Sequence, residues 1–262
     1  MENFQMAVDP GLCQRCRRCI QDCPNSVFRE KDGMPEVIEE NVADCIGCQH
    51  CLAICPTGAL SVFGLDPKNS LSLTPSALPT PAQLRTLVRG RRSVRSFRPE
   101  NVERELIDAI LADTRHAPTG CNAQSLSFLV VDERQELAGL LLKVVDAVEK
   151  GVQAGRDVPD FLAMAVQAYR RDGSDHFFRG APHLLVVAGG EKAVTPQADV
   201  LITLSYFELL VASAGLGATW CGMLDLASAV IPEIRGIFGL APDIPFYSLM
   251  FGRPGVHYAR TV

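Results

Sequence analysis

The chain has 262 residues, of which 47% are hydrophobic and 21% charged, a balance typical of an ordinary globular protein. Its formal net charge of −5 leaves no excess of lysine and arginine to neutralise phosphates, which argues against nucleic acid as a partner. Residues 1–8 contain no apolar run typical of a secretory signal, and Glu208 interrupts the most apolar stretch, residues 200–218. We therefore expect a cytoplasmic protein with no membrane span.

The first part of the chain is dense in cysteine. Of ten cysteines, eight lie between Cys13 and Cys55. Dense cysteines in a chain without a secretory signal indicate metal binding rather than disulfides. The eight form two copies of the spacing C-x2-C-x2-C-x3-C-P, and the second copy begins at Cys45, 32 residues after the first. This internal repeat predicts a small domain with two-fold symmetry.

The repeated spacing is typical of ligands for [4Fe–4S] clusters. Three closely spaced cysteines surround one cluster, and the fourth, followed by proline, reaches the other. The predicted ligands of one cluster are Cys13, Cys16, Cys19 and Cys55, and those of the other are Cys45, Cys48, Cys51 and Cys23. Zinc is the alternative, but zinc ligands usually come as two separated pairs. The segment resembles the bacterial two-cluster ferredoxins, in which such clusters relay single electrons.

A segment rich in proline, serine and threonine follows, and we interpret residues 66–81 as a linker between domains at 1–65 and 82–262. Thr80 and Gln83 predict a capping box at the start of a helix that ends near Gly90. Apolar periodicity predicts further helices at 102–114, 133–150, 161–170 and 198–214, and apolar runs predict strands at 126–131, 184–188 and 246–251. This alternation indicates an α/β or α+β domain.

Two segments of the second domain carry polar groups suited to a flavin nucleotide. The sequence RRSVRSF at 91–97 offers three arginines, whose planar guanidinium groups pair well with phosphate oxygens. The sequence APTGCNAQS at 117–125 offers backbone and amide donors before a strand. Each has an ordinary alternative, because a basic run is usually a solvated face and Pro, Gly and Asn are common in turns.

The order of these segments resembles the FMN-dependent nitroreductase family. Further matches are RGAP at 179–182, GLGATWCG at 215–222, FGRP at 251–254 and YAR at 258–260, so the resemblance covers residues 82–262. It implies an α+β fold, with a nitroreductase-like FMN domain behind a small ferredoxin-like N-terminal domain. It also implies a homodimer with FMN at the interface and residues 200–218 as the dimer helix.

The family pattern implies a residue set for each part of FMN. For the ribityl phosphate these are Arg91, Arg92, Ser93 and Arg260, and for the N1/O2 edge the residue is Arg95. For the ring they are Pro118, Thr119, Gly120 and Asn122. For the surroundings of N5 they are Cys221, Gly222 and Met223. Arg253 stands where the family often has an aromatic residue, and residues 150–180 carry no recognisable motif.

Other candidate sites are weaker. The glycines of the 215–222 segment follow a helical pattern, whereas a dinucleotide fingerprint follows a strand. The five histidines show no ligand spacing, and Cys121 and Cys221 are typical of small buried apolar residues.

We therefore predict an oxidoreductase that passes electrons between two [4Fe–4S] clusters and FMN and reduces a small organic acceptor. The resemblance implies a nitro or quinone acceptor, with a ferredoxin or NAD(P)H as the donor. Flavin N5 would do the chemistry, and no side chain is predicted to be catalytic. The alternative is an electron-transfer module that docks a larger redox partner and has no small substrate. A third hypothesis is other flavin chemistry, such as reductive dehalogenation or oxidative flavin cleavage.

Overall fold

The computed structural model describes residues 4–261. It divides into two compact units, and the division falls between Pro79 and Thr80. Most of the segment predicted as a linker therefore groups with the first unit. That segment contains two short 3₁₀ turns, Pro67–Asn69 and Pro75–Ala77.

The first unit contains two short antiparallel strand pairs and two single-turn helices. Its elements are β1 (Met6–Val8), α1 (Arg18–Gln21), β2 (Phe28–Lys31), β3 (Met34–Val37), α2 (His50–Ala53) and β4 (Leu60–Val62). β1 pairs with β4, and β2 pairs with β3. α1 and α2 each follow a left-handed residue, Arg17 at φ 60° and Gln49 at φ 61°. The sequence repeat is therefore also a repeat of backbone conformation.

The apolar core of the first unit is small. Leu52, Leu60 and Val62 form its buried apolar cluster, and half-buried cysteines pack against them. So small a core rarely stabilises a domain by itself, and bound metal then supplies part of the folding free energy.

The second unit is a four-stranded antiparallel sheet with helices on both faces. Its elements are α3 (Pro81–Gly90), α4 (Arg104–Thr114), β5 (Leu126–Val131), α5 (Arg134–Gln153), α6 (Asp160–Asp172), β6 (His183–Gly189), α7 (Pro196–Ser213), β7 (Gly217–Trp220), α8 (Gly222–Val230), α9 (Glu233–Ile237) and β8 (Phe246–Gly252). The strand order is β5-β6-β8-β7. The predicted capping box of Thr80 and Gln83 is present at the start of α3.

β6 lies inside the sheet, and all its residues are buried. Leu184 and Val186 pack into one apolar cluster with α5, α6 and α8, whereas Leu185 and Val187 pack into a second with α4 and α7. A strand covered on both faces becomes a continuous apolar run, which is why the sequence revealed it. The second unit is thus α+β, as predicted.

The prediction of one helix across residues 200–218 is wrong. α7 ends at Ser213, and Gly215 then adopts a left-handed conformation at φ 75°. The chain continues into β7, which pairs with β8. The short helices α8 and α9 were not predicted from the sequence either.

No helix within residues 4–261 is long and apolar enough to cross a membrane.

Candidate functional site: cysteine quartets and an arginine-lined cleft

The first predicted quartet of cysteines lines one cavity of the first unit. Cys13, Cys16 and Cys19 come from the first copy of the repeat, and Cys55 comes from the second. Burial raises the pKa of the Cys19 thiol, and its charged neighbours Cys55 and Cys16 raise it further. The structure thus brings together four residues that the spacing had grouped.

The second predicted quartet gathers around Cys51. Burial raises the pKa of the Cys51 thiol to about 11, and the thiols of Cys48, Cys23 and Cys45 lie near enough to add to that rise. Metal ligation requires thiolates, so loading of this quartet must displace protons.

The fourth cysteine of each copy accepts an equivalent hydrogen bond. The N–H of Val27 donates to Sγ of Cys23 at 3.4 Å, and the N–H of Ala59 donates to Sγ of Cys55 at 3.2 Å. Burial opposes ionisation of Cys55, yet hydrogen bonds from the following segment hold its pKa below the usual value. Backbone donors to thiolate sulfur also tune iron–sulfur clusters, so these donor sets fit such a group. Among residues 4–261, no three Cys, His or acidic side chains converge as ligands of a single metal ion would.

In the second unit, the first arginine of the 91–97 segment is already paired. Nη1 of Arg91 donates to Oε1 of Glu208 at 2.9 Å, and Nε1 of Trp220 donates to Oε2 at 3.2 Å. Glu208 is 8% exposed. Arg91 therefore shares its charge with a buried carboxylate, which the sequence analysis did not foresee.

Arg92 has a free guanidinium nitrogen. Its Nη1 donates to the carbonyl oxygen of Arg91, whereas Nη2 is buried without a hydrogen-bond partner. Both arginines line a cleft of about 320 Å³ together with Glu208, His257 and Tyr258. A buried guanidinium nitrogen without a partner fits an anionic group such as a phosphate.

The other residues predicted for this end of FMN lie at the surface or in the sheet. Ser93 forms a β-bridge with Ala218, while Arg95 and Arg260 are exposed. Nη2 of Arg253 donates to both carboxylate oxygens of Glu103, at 2.8 and 2.5 Å. Arg253 thus fastens the C-terminal stretch to the start of α4.

The predicted ring-binding loop is held by a buried carboxylate. The N–H of Gly120 and Oγ1 of Thr195 donate to the same oxygen of Asp199, at 2.9 and 2.8 Å. A Cβ at Gly120 would lie 2.3 Å from Oγ1 of Thr195, so only glycine fits here without a shift. Cys121 and Asn122 then both adopt φ 51°. Non-glycine residues in this conformation are strained, and such strain is common at ligand sites.

The segment predicted to lie near N5 begins α8. The N–H of Cys221 donates to the carbonyl oxygen of Ser248, and burial raises the pKa of its thiol to about 12. Cys221 is therefore an inert thiol whose amide is already bonded. Gly222 and Met223 occupy the first turn of α8, where backbone N–H groups have no acceptor within the helix.

A second cavity of about 440 Å³ adjoins Met223. Its lining includes Phe161 and Met164 of α6 and the side chains of His176 and Arg179. Residues 150–180, which showed no motif in the sequence, thus supply most of its wall. Arg179 is held at φ 55° in a turn whose amides donate to the carboxylate of Asp175.

Family models match both parts of the chain. Residues 88–253 match the model of the nitroreductase family, and residues 12–60 match that of a 4Fe–4S dicluster domain. The chain belongs to the nitroreductase family. This confirms the family, the fold and the oxidoreductase class predicted from the sequence. The match to the dicluster domain adds an iron–sulfur domain suited to electron transfer.

Individual relatives of this nitroreductase-family chain match only parts of it. It is 29% identical over 132 residues to an iodotyrosine deiodinase of Thermotoga neapolitana, covering 50% of this chain and 69% of that protein. It is 36% identical over 63 residues to hydrogenase-4 component A of Escherichia coli, covering 23% of this chain and 29% of that protein. The chain spans between 23% and 29% of the length of the first curated relatives that it matches.

The fold is also found among solved structures. A nitroreductase with bound FMN from Bacteroides fragilis superposes with a TM-score of 0.57 at 19% identity. The match covers 69% of this chain and 94% of that one. At this level of identity the likeness concerns the fold.

Proposed function

We propose that this protein is an iron–sulfur flavoprotein that reduces a small organic acceptor, with two [4Fe–4S] clusters and FMN as its cofactors. The observation that carries the proposal is the open cavity beside Met223, because an electron carrier needs no such space next to its flavin. Its volume of about 440 Å³ is in the range of small-molecule sites.

Each cofactor has candidate ligands in the chain. The two cysteine quartets would each hold one cluster. Nη2 of Arg92 would bind the FMN phosphate together with Ser93 and Arg260, and Arg91 would contribute the nitrogens that Glu208 leaves free. The loop that contains Pro118, Thr119, Gly120 and Asn122 would hold the ring.

When bound, FMN exchanges electrons singly or in pairs and transfers hydride at N5. The guanidinium group of Arg95 would stabilise negative charge at the N1/O2 edge. The N–H groups of Gly222 and Met223, both at the N-terminus of α8, would donate hydrogen bonds near N5. Asp199 would keep the ring-binding loop in place by holding the N–H of Gly120.

We also propose a homodimer. α7 carries apolar residues on all of its sides, and Leu201, Ile202 and Tyr206 are exposed on it. A helix that is apolar on all sides is usually buried, and contiguous exposed apolar groups mark interfaces. A second copy of this chain would cover that surface.

An anaerobic absorbance titration of the cluster-reconstituted, FMN-loaded protein tests the proposal. Reduction of the flavin band by NADH or NADPH would show direct hydride entry. Reduction only by a reduced ferredoxin would show that electrons enter through the clusters. A protein that retains no flavin after loading would contradict the assignment of the second unit.

A second candidate function is reductive dehalogenation, which the similarity to an iodotyrosine deiodinase favours. In that reaction a C–I bond of a phenol is replaced by C–H, with consumption of two electrons and one proton and release of iodide. Iodide released from an iodinated phenol by the reduced protein would support it. Turnover of nitro compounds or quinones without any iodide release would exclude it.

A further inference from the structure

The two copies of the cysteine repeat differ in charge at equivalent positions. In the first copy, Arg15, Arg17 and Arg18 stand between the cysteines, and the residues 32 positions later are Gly47, Gln49 and His50. In the second quartet, acidic residues directly precede two of the cysteines, at positions 22 and 44, whereas the residues that precede the equivalent cysteines of the first quartet are Ile54 and Leu12. Because the backbones of the two copies are alike, the charges of their side chains can be compared position by position.

The first quartet is also the more accessible one. Cys16 is exposed, whereas its counterpart Cys48 is only half-exposed. Arg15, Arg17 and Arg18 line the same cavity as the first quartet. A cluster held there would approach the surface next to an exposed ligand and among guanidinium groups.

Two of these arginines have no counter-charge. Nε of Arg17 pairs with Glu30 at 2.6 Å, but among residues 4–261 neither Arg15 nor Arg18 forms an ion pair. The stem of Arg15 packs over Gly33, where a Cβ would lie 3.1 Å from its Cδ. The surface of Arg15, Arg17 and Arg18, called here the arginine surface, thus carries two guanidinium groups that form no ion pair within the described residues.

We propose that the arginine surface docks an acidic one-electron carrier protein, which reduces the first cluster through its exposed edge. The inference rests on the proposed function, because it requires clusters in the quartets. In each step the reduced carrier loses one electron and the cluster gains it, so two docking events supply a two-electron reduction. NAD(P)H does not fit this surface, since it delivers a hydride and each cluster takes one electron.

Opposite charges chiefly raise the rate of encounter and select the partner. Electrostatic steering raises association rates by about 10- to 1,000-fold, and salt suppresses it. Transient redox complexes have small, polar interfaces, so an exposed arginine surface suffices without an apolar groove.

The test uses the full chain with reconstituted clusters and an acidic bacterial-type ferredoxin as the probe. The variant R15Q/R18Q removes the two unpaired charges and leaves the Arg17–Glu30 pair intact. We expect its affinity for the oxidised probe and its rate of reduction by the reduced probe to fall about tenfold or more at low ionic strength. The control R85Q/R89Q removes two exposed arginines of α3, and we expect both quantities to stay within about twofold of the wild type.

Two further measurements separate a loss of docking from misfolding of the variant. Salt of about 0.5 M should weaken binding of the probe to the wild type, since the Debye length then falls below about 5 Å. Photoreduction by a small uncharged deazaflavin should proceed equally in the wild type and R15Q/R18Q.

The outcomes separate the two proposals. A wild type without cluster absorbance would contradict the proposed function itself. A cluster-loaded wild type that does not bind the probe, binding insensitive to salt, or an equal loss in R85Q/R89Q would each overturn the docking surface and leave the proposed function standing.

Discussion

Glu208 links residues that are far apart in sequence. Its carboxylate accepts from Arg91, at the end of α3, and from Trp220, at the end of β7. The apolar stretch 200–218, with its single acid, gave no sign of this in the sequence, because the partners of Glu208 are distant in the chain. The sequence predicted Arg91 as a phosphate ligand, and the structure adds a competing carboxylate at that position.

We predict that E208Q destabilises the second unit by about 2 kcal/mol, because a charged hydrogen-bonded partner of Arg91 is lost. Urea unfolding followed by tryptophan fluorescence measures this change. The control E233Q breaks the exposed Arg156–Glu233 pair, where screening by solvent makes the loss much smaller. Equal losses in both variants would show that Glu208 contributes no more than a surface charge.

A second prediction concerns the close approach of Gly120 to Thr195. We expect G120A to weaken FMN binding about tenfold, because the new methyl group displaces Thr195 and costs about 1–2 kcal/mol. Fluorescence titration with FMN measures the affinity.

The double variant G120A/T195A should recover part of that affinity, because it removes the hydroxyl that meets the methyl group. The control G139A lies in α5 with no atom near its Cβ position. It should leave FMN affinity unchanged and slightly raise stability. Full affinity in G120A would refute the role of this contact.

At the scale of elements, the strands that consist mostly of apolar residues could be predicted from the sequence. The positions of β5, β6 and β8 were predicted within about one residue. The strand β7 was not predicted, since Gly217–Trp220 is short and starts with a glycine. The strand β7 depends on tertiary contacts. A Cβ at Gly217 would lie 2.5 Å from the side chain of Val94, so the glycine allows the 91–97 segment to pack closely against β7.

His183 joins β6 to the start of α4. Its Nε2 accepts from the N–H of Val102 at 2.8 Å, and the ring is fully buried. Burial lowers the pKa of His183, so the folded protein holds it neutral while the unfolded chain takes up a proton more readily. The stability that neutral His183 contributes is therefore fully present above the ordinary histidine pKa of about 6.5. This stability is lost as the pH falls from there towards the lower pKa that His183 has in the folded protein.

We predict that the second unit loses stability from pH 7 to pH 5 and that H183F flattens this dependence. H183F should be less stable at pH 8, because the Val102 N–H loses its acceptor. Thermal unfolding across this pH range measures both effects. The exposed His257 provides the control, since H257N should retain the pH dependence of the wild type. An unchanged pH dependence in H183F would show that protonation of His183 is not its cause.

At the scale of the whole molecule, the two units depend on different sources of stability. The second has a large apolar core on both faces of its sheet. The first has a buried apolar cluster of only three residues, together with eight cysteines. The sequence predicted the grouping of the cysteines, because ligand spacing is local and repeated. It did not predict the second cavity, whose walls come from helix residues without a motif.

This difference predicts two separate unfolding transitions. Removal of iron by a chelator should abolish the first transition and leave that of the second unit, because only the first unit depends on metal for its core. C16S and C121S form a matched pair, since both replace an exposed cysteine by serine. C16S should lose about half of the roughly eight iron atoms expected for two clusters, whereas C121S should retain them all. Both should keep the transition of the second unit. Iron analysis with calorimetry measures this, and an unchanged iron content in C16S would contradict the assignment of the first quartet.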